Sequence, residues 1–416
     1  MNFLFVHQNM PGQYRELLPW LVAQGGHNIV FLTQRTPLPQ IKGVTSVGYK
    51  PHRTPAEDAY GLSKTWEAAA GSGYGAVLAA QNLKASGFTP DIIIGHAGWG
   101  ELTFLKEVFP DAPIIGFFEY YYRTHGGPVN FDPESPATPH TPYLLAARNT
   151  VPLMNFEVVD RGHAPTFWQR DRFPKRFHDD MYVCHDGIRT DTLRPNATAA
   201  IKLGRLDQPL TVGDEILTYM ARNLELTRGF HKFMRALPKV LAARPKARVL
   251  IIGGNETSYG KKSDHPKGLR GQLEAELGDQ LDYSRIHFLG RVPFQDYQRV
   301  IQVSRCHMYL SMPFVLSWSA LEAMAMGATI IASDVAPVRE AMTDGETALL
   351  VDYFDHDAIA DRIIDVLSNP RDFAHLGPAA RTHVVETYDF HTRCLPVHLS
   401  EINKLVPKAK RLDIPA

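Results

Sequence analysis

The residues of this chain that could do chemistry are few, and they fall at the ends of apolar runs. Glu322 is a single carboxylate among apolar neighbours in the stretch 309–327, YLSMPFVLSWSALEAMAMG. Its plain alternative is a solvated helix glutamate. Arg222 follows the apolar run 216–220, and Arg228 precedes a helix expected over 230–243. Two guanidiniums converging on a diphosphate would stabilise it as a leaving group without a metal. The alternative is two solvated arginines. His96 ends the run 91–95 and is followed by Ala97, Gly98, Trp99 and Gly100. Glu119 and Tyr120 end the run 113–118 and open a long loop, 124–142, rich in Pro, Gly, Asp and His, which places them near an acceptor; a packed aromatic cluster with a solvated Glu is the alternative. Gly12 sits where backbone can approach a phosphate or sugar, although no GxGxxG surrounds it and a turn glycine is the simpler reading.

These groups need a scaffold that presents strand ends. Short apolar runs alternate with helical stretches along the chain, the pattern of parallel α/β sheets. Strands are expected over 3–6, 27–33, 44–49, 91–96, 113–118 and 181–184, with helices over about 14–24 and 75–86. Residues 34–70 read as mixed apart from one strand, and 143–180 as helical and mixed. After a polar, turn-rich stretch, 189–213, a second series begins. Its strands are expected over 216–220, 248–252, 286–289, 306–310, 329–332 and 348–351. Gly254 follows the second of them and is assigned to the same site. Ligands in open α/β sheets bind beyond the C-terminal ends of strands. From Leu316 the pattern turns helical, with Ser317 or Ser319 as cap and Gly327 as stop. A strand, a tight loop and a helix N-terminus make an anion site.

Composition bounds the function. At 416 residues the chain has room for two domains, and its 44% apolar and 21% charged content is that of a globular protein. Lys plus Arg equals Asp plus Glu at 44 each, which argues against a nucleic-acid binder driven by bulk charge. Cys184, Cys306 and Cys394 show no metal-ligand spacing and fit a reducing cytoplasm. No signal peptide or membrane span is expected. The basic and aromatic segment 167–177 and the tail with Lys404, Lys408, Lys410 and Arg411 leave peripheral contact with the inner face of a membrane open. Residues 254–263 do not make a P-loop, and the acidic run 352–357 reads as turns and caps.

Several pieces in order resemble glycosyltransferase family 4, of GT-B fold. They are Leu321 to Gly327 (LEAMAMG), Phe288 to Val292 (FLGRV), Arg222 with Arg228 and Gly229, Pro337 with Arg339 and Glu340, and Asp344 with Gly345. The N-terminal HQNMPGQYR, residues 7–15, is similar to a bacterial subgroup of that family. The resemblance implies two Rossmann-like α/β domains facing each other across a cleft. Residues 1–187 would bind acceptor and 188–385 nucleotide sugar, with 386–416 packing back on the first domain. It implies retaining transfer from a UDP- or GDP-linked sugar to an acceptor hydroxyl, on a sugar, lipid-linked or protein acceptor, with no metal or other cofactor. Glu322 would bind the donor ribose, Arg222 and Arg228 the diphosphate, and backbone near Arg291 and Val292 the base. Gly12 would lie under the phosphate or sugar, and His96 would reach a sugar hydroxyl. There are two departures. Arg228 stands where the family commonly has Lys, and Phe314 stands where its first glutamate falls. Recognition of the donor sugar would then come from the N–H groups of Val315, Leu316 and Ser317, or from the Ser317 hydroxyl. A nucleotide-sugar 2-epimerase and a sugar-nucleotide-binding protein without turnover are the alternatives.

Overall fold

The computed structural model describes residues 1–204 and 206–415. Contacts divide the chain into two units. The first comprises 1–124, 137–187 and the chain from Phe390 onward, and the second comprises 125–136 and 188–389. One break falls after Gly187. The segment 125–136, expected with the first domain, groups instead with the second unit. The other break falls after Asp389, four residues beyond the expected 385. The reason is that the helix Leu376–Tyr388 packs closely on the loop at Gly327, leaving no room for a Cβ at Gly377.

The first unit is built on seven parallel strands: β1 (Asn2–Val6), β2 (Asn28–Thr33), β3 (Val44–Gly48), β4 (Ile92–His96), β5 (Ile114–Phe117), β6 (Arg161–Ala164) and β7 (Met181–Val183). Their order is β3-β2-β1-β4-β5-β6-β7. Phe3 to Val6 pair with Ile29 to Leu32 on one side and with Ile92 to Gly95 on the other. Both faces of β1 are covered, so its side chains form one continuous apolar run. The chain from Phe390 onward covers one face, where Phe390, Leu395, Leu399 and Ile402 pack with Phe3, Phe5 and Ile92.

Two elements differ from expectation. The stretch 143–180 contains a strand, β6, whose sequence Arg-Gly-His-Ala carries no apolar run. The helix expected over 75–86 spans Gly61–Ala85. Gly71, Gly73 and Gly75, residues that ordinarily weaken a helix, lie inside it. A Cβ at Gly71 would stand 2.0 Å from the Arg53 carbonyl oxygen, and one at Gly75 would stand 2.1 Å from that of Lys50. These glycines let the helix lie against the 50–53 backbone.

The second unit holds six parallel strands and a two-stranded ribbon of β8 (Ala200–Ile201) and β9 (Leu210–Thr211). The strands are β10 (Ile216–Asn223), β11 (Arg248–Gly254), β12 (Ile286–Gly290), β13 (Cys306–Tyr309), β14 (Ile330–Ser333) and β15 (Leu349–Val351). Their order is β12-β11-β10-β13-β14-β15. A helix the sequence reading omitted, Gly268–Leu277, buries Leu269, Leu273 and Leu277 at a spacing of four. Strand order reverses between β1 and β4 in one sheet and between β10 and β13 in the other. Those switch points are where open α/β sheets take ligands. Among the described residues no helix is long and apolar enough to cross a membrane.

Gly71→Ala should destabilise the protein by about 1–3 kcal/mol, because the helix must move off backbone that cannot yield. Urea unfolding followed by circular dichroism measures it, and an unchanged midpoint would show that the close approach is not needed.

Candidate functional site

At the β10/β13 switch point the site is assembled from three loops. β10 runs on to Asn223, past the expected end at Met220, so Arg222 is its exposed penultimate residue. One turn, Leu226–Arg228, follows. The Arg228 guanidinium donates through Nη1 to the Ser311 hydroxyl and to the Val315 carbonyl, each at 3.2 Å. Its Nε and Nη2 edge carries no protein hydrogen bond among the described residues. That edge presents parallel N–H groups, the geometry that binds a carboxylate or phosphate in two-point fashion. Between the two arginines lies Glu225, which is buried and accepts the N–H groups of Ser258 and Tyr259 at 2.8 and 2.9 Å. Burial raises its pKa, against those two bonds and the positive charges of Arg228 and Arg222.

Phe314 is buried against Tyr259, ring centroids 4.8 Å apart. Ser317 caps the helix Trp318–Ala325 by accepting the Ser319 N–H, and its own N–H is taken by the Tyr309 hydroxyl at 2.9 Å. Of the three backbone donors expected to meet a sugar, Ser317 is therefore committed. Val315 and Leu316 retain N–H groups with no protein acceptor among the described residues. Glu322 is buried and accepts from the Tyr297 hydroxyl at 2.8 Å. Arg291, exposed after β12, bonds Glu256 at 2.7 Å and Asn223 at 3.2 Å. Val292 beside it packs against the core that holds Glu322's helix. Gly254 lies inside that polar triangle: a Cβ there would stand 2.4 Å from Glu256, 2.5 Å from Asn223 and 3.0 Å from Arg291.

At the β1/β4 switch point two histidines meet edge to face, ring centroids 5.2 Å apart. His96 ends β4, and His7 follows β1 directly. His96 Nδ1 accepts the Gly98 N–H at 2.9 Å, and His7 Nδ1 accepts that of Asn9 at 2.8 Å. A neutral ring so bonded carries its proton on Nε2. Burial, with the neighbouring His96 adding, pushes the His7 pKa down to about 3, so His7 is neutral. His96 Nε2 has the Glu119 carboxylate at 3.5 Å and no hydrogen bond. Gly12 has φ +56° and no space for a Cβ, which would stand 2.9 Å from the His7 ring. Tyr120 lies in a cluster with Tyr122, Trp168 and Arg172. Burial pushes its pKa up to about 12, with Arg172 pulling the other way. His7 was missed in the sequence, although it follows a strand by the same rule that singled out His96. Glu225, Tyr259 and Tyr297 left no such signal.

A third polar group involves the segment 125–136. Asp132 and His231 are buried and bond at 2.7 Å, and Glu134 lies with them in an arrangement compact enough for a cation. Glu134 already accepts from Lys232 at 2.7 Å and from Arg235 at 2.6 Å, and Lys232 lies 3.7 Å from Asp132. Two ammonium and guanidinium charges thus occupy the place a metal's charge would take. The cluster is an ion-pair network that fastens the segment to the helix Phe230–Ala243.

Two parallel-sheet α/β domains with these strand-end sites define the GT-B class of fold. Residues 25–193 match the family model described as Glycosyl transferase family 4 group, and residues 214–369 match Glycosyl transferases group 1. The chain belongs to the family 4 glycosyltransferases. It is 28% identical over 249 residues to a D-inositol 3-phosphate glycosyltransferase of Streptomyces avermitilis, covering 57% of this chain and 51% of that one. It is 26% identical over 236 residues to a GDP-mannose-dependent alpha-(1-6)-phosphatidylinositol monomannoside mannosyltransferase of Mycolicibacterium smegmatis, covering 54% and 58%. The matches span about half the length of these curated relatives. In fold it is similar to the sucrose-phosphate synthase of Thermosynechococcus elongatus, with a TM-score of 0.70, 15% identity, and 97% and 98% of the two chains covered.

The ion-pair network has a pH signature. Burial works to raise both carboxyls, but the His231 bond and Lys232 hold Asp132 at about 2, and Arg235 and Lys232 hold Glu134 at about 2. A depressed carboxylate stabilises the fold above its unfolded pKa, and the contribution is lost as pH falls through the folded value. The difference in melting temperature between wild type and Asp132→Asn should therefore be full at about pH 6 and should close as pH falls from about 4 towards 2. A difference constant over that range would contradict the assignment.

Proposed function

We propose that the chain transfers a sugar from a UDP- or GDP-linked donor to an acceptor hydroxyl, with retention and without a metal, in the synthesis of a glycan or glycoconjugate. Family membership supports the transferase reading over the epimerase. The observation that carries the donor assignment is the uncommitted edge of Arg228, fixed by Ser311 and Val315 beside the helix Trp318–Ala325. When the bond to the anomeric carbon breaks, negative charge grows on the departing diphosphate. A guanidinium already oriented by the protein stabilises that charge without reorganising. Arg222 adds a second, more solvated charge. In this reading the departing phosphate takes the acceptor proton. Glu322, steadied by Tyr297, accepts from the ribose hydroxyls, the N–H groups of Val315 and Leu316 meet the donor sugar, and Gly254 with Arg291 and Val292 borders the base. In the first unit, His96 donates its Nε2 proton to a sugar hydroxyl, with Glu119 beside it. The relatives' printed names make an inositol-containing, lipid-linked acceptor and a GDP-mannose donor the first to try. Action at the cytoplasmic face of a membrane is part of the proposal.

Incubation with labelled nucleotide sugars, chosen from a thermal-shift panel, tests the reading. Transfer or slow hydrolysis is expected. Inversion at C2 would establish the epimerase, and binding without turnover a binding protein. Glu322→Ala should weaken donor binding by roughly 1–3 kcal/mol in calorimetry, the cost of losing a charged hydrogen-bond acceptor. Unchanged affinity in a folded variant would remove Glu322 from the ribose site.

A further inference from the structure

The loop after β11 is tied down more firmly than a connecting loop requires. Asn223 donates to the Ser258 hydroxyl at 2.7 Å. The Glu225 carboxylate accepts two consecutive N–H groups, of Ser258 and Tyr259. The Thr227 hydroxyl donates to the Tyr259 carbonyl at 3.2 Å. Four hydrogen bonds from the end of β10 and the turn after it thus fix two residues. Their effect is to bring the Tyr259 ring to Phe314, 4.8 Å away and inclined at 60°. The Arg228 guanidinium carbon stands 6.0 Å from the Tyr259 ring and 5.8 Å from that of Phe314, within reach of a cation–π interaction with each.

The three groups form a triangle. Ser311 and Val315 hold one end of the guanidinium, and the two rings shield it from water. An arginine so held loses little conformational freedom when its remaining N–H edge takes an anion, and its charge is less screened than at an open surface. Phe314 is buried and belongs to the core of the loop. Tyr259 is only half-buried and owes its position to Glu225 and its neighbours.

We infer that Tyr259 is a positioning residue for the donor diphosphate, acting through Arg228. The inference rests on the reading that Arg228 binds that diphosphate. The ring is the part of the side chain that meets Arg228 and Phe314.

The test is the affinity of the full chain for nucleoside diphosphates and monophosphates, UDP, UMP, GDP and GMP, by calorimetry. Five proteins are compared: wild type, Tyr259→Ala, Tyr259→Phe, Arg228→Gln and the double variant Tyr259→Ala with Arg228→Gln. A nucleoside monophosphate lacks the distal phosphate, so its binding reports on the base and ribose contacts and on folding. Tyr259→Ala should weaken the diphosphate about tenfold, close to 1.4 kcal/mol, and leave the monophosphate unchanged. Tyr259→Phe, which keeps the ring, should bind the diphosphate more tightly than Tyr259→Ala, and Tyr259→Ala should add little to Arg228→Gln. If Arg228→Gln weakens the diphosphate and Tyr259→Ala does not, the inference is overturned while the donor reading stands. Equal loss for mono- and diphosphate would make Tyr259 merely structural and also overturn it. If Arg228→Gln has no effect, or neither diphosphate binds wild type, the donor reading itself fails and takes the inference with it.

Discussion

A carboxylate buried at the end of a parallel strand must find donors or give up its charge. Glu225 finds them in the backbone of the next loop, and the arrangement at the β10/β13 switch point depends on that choice. Ser258 and Tyr259 are located by it, and Arg222 and Arg228 lie close enough to offset its charge. Arg228 is in turn held by residues after β13. One buried charge therefore ties together three segments that meet only because β10 lies between β11 and β13.

The histidine pair at the other switch point follows a different rule. There the backbone donates to the ring, at Nδ1 of both His7 and His96, which leaves Nε2 as the nitrogen that carries a proton in each. Glycine makes this possible. A side chain at Gly98 would strike His96 at 2.7 Å, as one at Gly12 would strike His7. The small residues around these histidines leave room for the rings.

Much of the scaffold was legible because strands covered on both faces read as unbroken apolar runs, as in Phe3 to Val6 and Ile92 to Ile94. β6 was not, since Arg161, Gly162 and His163 are held by neighbouring strands rather than by their own hydrophobicity. The glycines of the helix Gly61–Ala85 read as interruptions, and only the backbone they touch explains them. Arg228 and Glu322 stood out by motif. Their partners did not: Glu225 meets Tyr259 across 34 residues, and Tyr297 meets Glu322 across 25. Contacts at such separations impose no spacing that a sequence can display. The grouping of Asp132 with His231, 99 residues apart, was hidden for the same reason.

That last grouping bears on how such a protein can be divided. The chain passes from one contact unit to the other four times, because 125–136 leaves the first unit and returns to it. Neither half is a single contiguous piece of gene. A cassette cut at 188 and 389 would carry His231 and Lys232 in a buried setting without the carboxylates that match them. Exchange of the whole second unit between related proteins, a simple operation where two domains are joined by one linker, would here leave unmatched charges. Specificity in this lineage is thus expected to change by substitution within the loops at the strand ends, with both halves inherited together.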